Sequence, residues 1–260
     1  MKLITTSILA DGICGGRRLT TVLVDMPHII LPQLTRHRVF SLSVQSSRAI
    51  PNQKLAPSFI PKMRLKGQGM QPTDEALPGE LATKMTDLWE RAAHTAAYYA
   101  DYLDRLGCAK ELSNRLMEPF SFVKVLITAT DWDNFFRLRI AKETQLEMRE
   151  VAISIKAAMD ESEPTPMMPG EWQRPFWDSS MESLPEEEQN LISAARCARL
   201  SFLNHDNTKP SPAKDLALAL RLMKDCHWSP FEHVATPHPG PNRFANFTGW
   251  TSLRYFTELP

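Results

Sequence analysis

Three arginines, one histidine and four serines fall within the thirteen residues 36–48, Arg-His-Arg-Val-Phe-Ser-Leu-Ser-Val-Gln-Ser-Ser-Arg. A guanidinium presents a planar fork of donors that fits pairs of phosphate oxygens, and serine hydroxyls and loop N–H groups complete such a shell. Arg36, His37, Arg38, Ser46, Ser47 and Arg48 therefore read as an anion cradle, most simply one for nucleotide phosphates. The alternative is a solvated loop salt-bridged to nearby acids. No Asp or Glu occurs between Asp25 and Asp74, and the cluster interrupts an apolar segment, which favours the cradle.

Other stretches place polar groups where they could act beside it. His233 closes the run His-Trp-Ser-Pro-Phe-Glu-His at 227–233. Taken alone it reads as a capped structural histidine or as a site group. Arg139, in Asn-Phe-Phe-Arg-Leu-Arg at 134–139, stands four residues before Glu143, so on a helix it is either a surface ion-pair partner or a functional cation. Arg115 lies in Asn-Arg-Leu-Met-Glu-Pro at 114–119.

The Arg-His-Arg, seven residues, Ser spacing resembles the signature of the flavin-dependent thymidylate synthases. The Ser-Pro-Phe-Glu-His run, the Leu138-Arg139 pair and, more weakly, the Arg115 segment resemble three further stretches of that family. The resemblance implies an α+β fold, a mixed β-sheet flanked by long α-helices, assembled as a homotetramer whose sites draw on several subunits. It also implies reductive methylation of dUMP to dTMP with FAD, NADPH and methylene-tetrahydrofolate. On that reading Arg36, His37, Arg38, Asn134 and His233 hold FAD. Gln33, Arg36, Ser46, Ser47, Arg48 and Arg115 hold the nucleotide, and Arg139 is the catalytic cation on the pyrimidine.

The chain departs from the family pattern in order and in composition. His233 follows Arg36 here, whereas the family has the histidine segment first; a circular permutation accounts for this, since natural termini are often close together. Val44 and Ala49 replace a glutamate and a tyrosine, and Glu118 stands at a usually apolar position. A relative acting on UMP or dCMP, or leaving a hydroxymethyl group, is therefore a second expectation. A flavin- or nucleotide-binding protein without turnover is a third.

Composition sets the outer bounds. Thirty basic and thirty acidic side chains cancel, which argues against a nucleic-acid polymer or a membrane surface as partner. No apolar run approaches the roughly 18–20 residues that span a bilayer, and residues 1–11 are too soon interrupted for a secretory signal. Cys14, Cys108, Cys197 and Cys226 form no CxxC pair and read as reduced, mostly buried thiols of a cytoplasmic protein, with no metal site. Neither a GxxxxGK[ST] nor a GxGxxG cradle is present.

The scaffold is expected to be one domain, 1–260, with the Arg-His-Arg motif and a long helix in 1–160, a connector at 161–183 and a permuted helical part at 184–260. Residues 19–34 read as two short strands or a bent edge strand, because Pro27 and Pro32 remove ladder donors. Residues 49–78 read as a long loop. Apolar spacings of three and four predict helices at 80–106, 184–200 and 212–224, with a short one at 109–117. Residues 131–159 read as one helix apolar on two sides, Ile140, Met148, Val151 and Ile155 against Phe135, Leu146 and Ile153, and so as an oligomer interface. The aromatic tail 243–260 must pack on something.

Overall fold

The computed structural model of the chain describes residues 3–47, 57–67, 72, 75–200 and 211–258. Two long strands, β1 (Thr5–Cys14) and β2 (Arg17–Pro27), form a hairpin closed by Gly15 and Gly16, both at positive φ. A two-residue turn of that kind matches the twist of its strands, and only glycine adopts it without strain. β3 (Ser41–Val44), β4 (Phe122–Ala129) and β5 (Thr165–Pro166) complete a sheet of order β3-β4-β2-β1-β5. All pairs are antiparallel except β1–β5, so the sheet is mixed, as expected.

The helices follow in chain order: α1 (Leu31–Leu34), α2 (Gly79–Arg105), α3 (Lys110–Ser113), α4 (Asp133–Arg139), α5 (Leu146–Glu161), α6 (Glu186–Arg199), α7 (Pro212–Lys224) and α8 (Leu253–Glu258). Both faces of the central strands are covered. Val22, Val24, Val125 and Ile127 meet Met148, Val151 and Ile155 of α5, while Leu126 on the other face meets Cys197 of α6 and Phe176. A strand buried on both faces shows a continuous apolar run and no alternation. Hence 19–27 forms one central strand and not the two short strands or bent edge of the sequence reading. Pro27 and Pro32 fall at its end and in the first turn of α1, where a missing N–H costs nothing.

The helix read at 131–159 is broken. α4 ends at Arg139 and α5 begins at Leu146; Thr144 donates its hydroxyl to the Leu138 carbonyl at 2.7 Å and so caps the end of α4. Phe135 therefore belongs to the core from α4, while Leu146 and Ile153 of its expected side lie on α5 together with Met148, Val151 and Ile155. On α5 itself the outward apolar residue is Ile153, 47% exposed. The helices at 80–106, 184–200 and 212–224 form within a residue or two of their expected bounds.

The connector and tail are ordered by pairing. Gln173 and Ala235 exchange backbone hydrogen bonds at 2.8 and 3.2 Å, and Trp250, fully buried, donates its indole N–H to the Arg17 carbonyl. Of the cysteines only Cys197 is buried; Cys226 is exposed, and Cys14 and Cys108 are intermediate, so the thiols are less buried than expected. No helix among the described residues is long and apolar enough to cross a membrane.

Gly249 turns the tail back against β2 at φ +72, and a Cβ there would lie 2.3 Å from Arg17 Cδ. Gly249→Ala is expected to destabilise the fold by about 1–2 kcal/mol, from the left-handed backbone alone. A lowered thermal midpoint relative to wild type, with secondary structure retained, checks this.

Candidate active site

Residues 35–40 leave α1 and enter β3 at the sheet edge, and an aromatic cluster fixes this bend. His37 stacks on Phe40 at 5.6 Å and meets Phe135 edge-on at 5.0 Å; Phe40 in turn touches Trp132 at 4.7 Å. Phe135 and Trp132 come from α4 and its N-cap, so the same contacts bring Arg139, at the end of α4, onto the bend.

Arg139 Nε donates to His37 Nε2 at 2.9 Å, and its Nη2 donates to the Gln33 carbonyl at 3.1 Å. The imidazole accepts at Nε2, so its proton sits on Nδ1 and the ring is neutral. Desolvation, and after it the Arg139 charge, pull the His37 pKa below its ordinary value. Burial and then Arg36 likewise work against the Arg139 charge, yet a guanidinium stays cationic. Two donors of Arg139 are thus spent on holding the group, and its Nη1 has no partner among the described residues. Gln33 Nε2 donates to Gln145 Oε1 at 2.6 Å, and Gln145 Nε2 to the buried Glu147 at 3.0 Å. Glu147 lies in the first turn of α5, where a carboxylate suits the helix dipole.

This network forms the wall of an open cleft of about 910 Å³. Six cations line it, Arg36, Lys62, Arg64, Lys66, Arg137 and Arg139, against two carboxylates, Glu143 and Glu147. In a chain of zero net charge that is a concentrated positive field. Lys62, Arg64 and Lys66 were not singled out by any motif. The signal available was their alternation with Pro61, Met63 and Leu65, since exposed cations and half-buried apolar residues alternate there.

The remaining expected site residues fall elsewhere. Ser46, Ser47 and Arg115 gather beyond the far end of β3, a four-residue strand of about 13 Å. Ser47 Oγ donates to Glu118 at 2.8 Å, the Asn114 amide donates to the Ser47 carbonyl at 2.8 Å, and Arg115 lies 3.6 Å from Glu118. Ser46 and Arg115 border a second cavity of about 410 Å³. Arg38 and Asn134 are exposed, and Asn134 Oδ1 accepts from Arg137 at 2.8 Å. Arg48 lies outside the described residues, as does Ala49.

His233 is fully buried behind β3. Its Nδ1 lies 2.8 Å from Thr128 Oγ1 and its Nε2 2.9 Å from Ser43 Oγ, so both ring nitrogens are engaged. Desolvation lowers its pKa to about 3. Below the ordinary histidine value of about 6.5 the unfolded chain then binds a proton that the folded chain refuses, so stability falls as pH drops from there towards 3. From pH 6.5 to 5 the loss is expected to be about 2 kcal/mol, with His37 adding in the same direction. Unfolding midpoints measured across that range check this, and His233→Gln is expected to flatten the slope.

Residues 19–165, more than half of the chain, match the model of the family described as thymidylate synthase complementing protein, and the chain belongs to that family. The match contains every expected site residue except His233. Among solved structures, the UMP/dUMP methylase PolB from Streptomyces cacaoi bound with 5-Br UMP superposes with a TM-score of 0.51 at 15% identity, covering 62% of this chain and 90% of that one. The same protein bound with 5-Br dUMP gives 0.51 at 16% identity, covering 62% and 91%. At such identity the likeness is one of fold. Comparison with curated proteins gives no match.

Proposed function

We propose that the chain is a flavin-dependent C5 methylase of a pyrimidine nucleotide, converting dUMP to dTMP with methylene-tetrahydrofolate, NADPH and FAD. The observation that carries this is the Arg139 guanidinium, held by His37 and Gln33 at the wall of a cationic cleft, where two family motifs meet. The cleft fits a phosphorylated ligand by its donor set, and its volume lies at the upper end of ordinary ligand sites, roughly 300–1,000 Å³. When bound, the flavin supplies hydride chemistry, and the protein supplies placement and electrostatics.

The chain's own residues divide that work. Arg36, His37, Arg38 and Asn134 serve the flavin, with His233 holding β3 from behind through Ser43. Arg139 directs its free donors at the pyrimidine and stabilises the negative charge that develops as N3–H ionises. Gln33 and Arg36 orient the nucleotide together with Ser46, Ser47, Arg48 and Arg115. Because Ser46, Ser47 and Arg115 lie at the opposite end of β3, we assign the contribution of this group to a neighbouring copy in a homotetramer. A permuted chain order is part of this reading, and it is supported by the place of the Ser-Pro-Phe-Glu-His segment after the family match, which ends at residue 165. Unpaired cysteines support a reducing, cytoplasmic setting.

A second substrate is favoured by one observation: Val44, exposed on β3, offers no carboxylate to a base or sugar where the family has glutamate. UMP then competes with dUMP. The deciding experiment supplies dUMP, UMP and dCMP, each with methylene-tetrahydrofolate and NADPH, to the purified protein. The expected result is a yellow protein whose spectrum changes on adding dUMP and whose product has gained a methyl group. NADPH left unoxidised with all three nucleotides would sink the proposal.

A further inference from the structure

We infer that residues 61–66 form a cation ladder for a linear oligo-carboxylate, the γ-glutamyl tail of the folate co-substrate. This assignment of the tail rests on the methylase reading above. The ladder itself rests on geometry.

Lys62, Arg64 and Lys66 are exposed and line the same cleft, while Pro61, Met63 and Leu65 between them are half-buried. Alternate residues of an extended chain share a side, at about 6.6 Å per pair of residues. The strap is fixed to the fold at its first end. The Ser58 and Phe59 N–H groups donate to the Phe120 carbonyl, and the buried Phe59 ring meets Trp89 of α2 edge-on; at the other end Lys66 forms a β-bridge with Pro72. Lys62 makes a loose, exposed contact of 3.3 Å with Glu150 of α5. Neither Arg64 nor Lys66 has a carboxylate partner among the described residues.

A row of three cations at such intervals is poorly matched to a diphosphate, whose charges sit on adjacent groups. It matches a chain bearing one carboxylate per repeat. A γ-linked glutamate repeats at about 6 Å, a 3.8 Å peptide step lengthened by two methylenes. The ladder begins in the cleft that holds Arg139, so a tail leaving a folate ring in that cleft runs along it. The contacts are exposed ion pairs, individually weak and screened by salt, so the gain comes from their number and fades at high ionic strength.

The test compares monoglutamyl with tetraglutamyl methylene-tetrahydrofolate, in wild type and in the Lys62→Gln, Arg64→Gln, Lys66→Gln triple variant. For wild type at low salt, KM is expected to be about tenfold lower with the tetraglutamyl form. In the triple variant the ratio is expected to fall towards one. Equal KM values in wild type, or an advantage that survives the triple substitution, overturn the inference. Should neither folate be turned over, titration of a fluorescent tetra-γ-glutamate peptide by anisotropy decides independently of catalysis. Wild type is expected to bind at least fivefold tighter than the triple variant. No difference between them, or displacement of the peptide by inorganic triphosphate at lower concentration than by tetra-γ-glutamate, rejects the ladder as a carboxylate site.

Discussion

Arg139→Ala is expected to lower turnover by roughly 10²–10³-fold, the loss that follows removal of one preorganised donor aimed at a developing negative charge. Flavin binding is expected to fall less than turnover, because Arg36, His37 and Arg38 remain. Steady-state kcat beside flavin titration checks this, and equal loss of both would remove Arg139 from the chemical step. A second readout is local. Arg139 is the lesser of the two causes that depress the His37 pKa, so the variant is expected to show His37 titrating higher, though still below an ordinary histidine because burial remains. Arg139→Lys is expected to keep the charge and lose the paired grip on His37 and Gln33, giving intermediate turnover.

The largest effect on stability is expected at Asp215. Arg196 is fully buried in α6; its Nε meets Asp215 Oδ2 of α7 at 2.9 Å, and its Nη1 meets the Phe176 carbonyl at 2.7 Å and Asp178 at 3.1 Å. Asp215, also fully buried, pairs with Arg199 as well. Asp215→Ala leaves a buried guanidinium without one of its carboxylate partners, the fully buried one, which is expected to cost about 3–5 kcal/mol. A lower urea midpoint with an unchanged m-value is the expected signature. Converting the pair to well-packed apolar residues, Arg196→Met with Asp215→Leu, is expected to recover most of the loss.

Much of the site was readable because its chemistry sits in short contiguous motifs. Arg36, His37 and Arg139 announce themselves by residue type and spacing, and the fold brings His37 and Arg139 into contact across 102 positions. The three long helices followed from apolar periodicity, and the class of fold from the resemblance of the motifs to the family. The sheet was harder. β4, Phe-Val-Lys-Val-Leu-Ile-Thr-Ala, is buried on both faces and carries no alternation to read, whereas the Gly15-Gly16 hairpin had a usable turn signal between its two strands. The break between α4 and α5 contains neither proline nor glycine, so periodicity ran straight through it. Lys62, Arg64 and Lys66 belong to no motif; only their position beside Arg139 gives them meaning.

That same break has an evolutionary consequence. α5 is committed to the core through Met148, Val151 and Ile155, whereas α4 is two turns long and carries Arg139 on its last residue. Residues 140–145 are the tether between them, and Ala141, Glu143, Thr144 and Gln145 face the cleft. Selection for a different base or sugar can therefore rework this tether while the sheet and its covering helix stay as they are, so changes in ligand preference among related chains should accumulate there first.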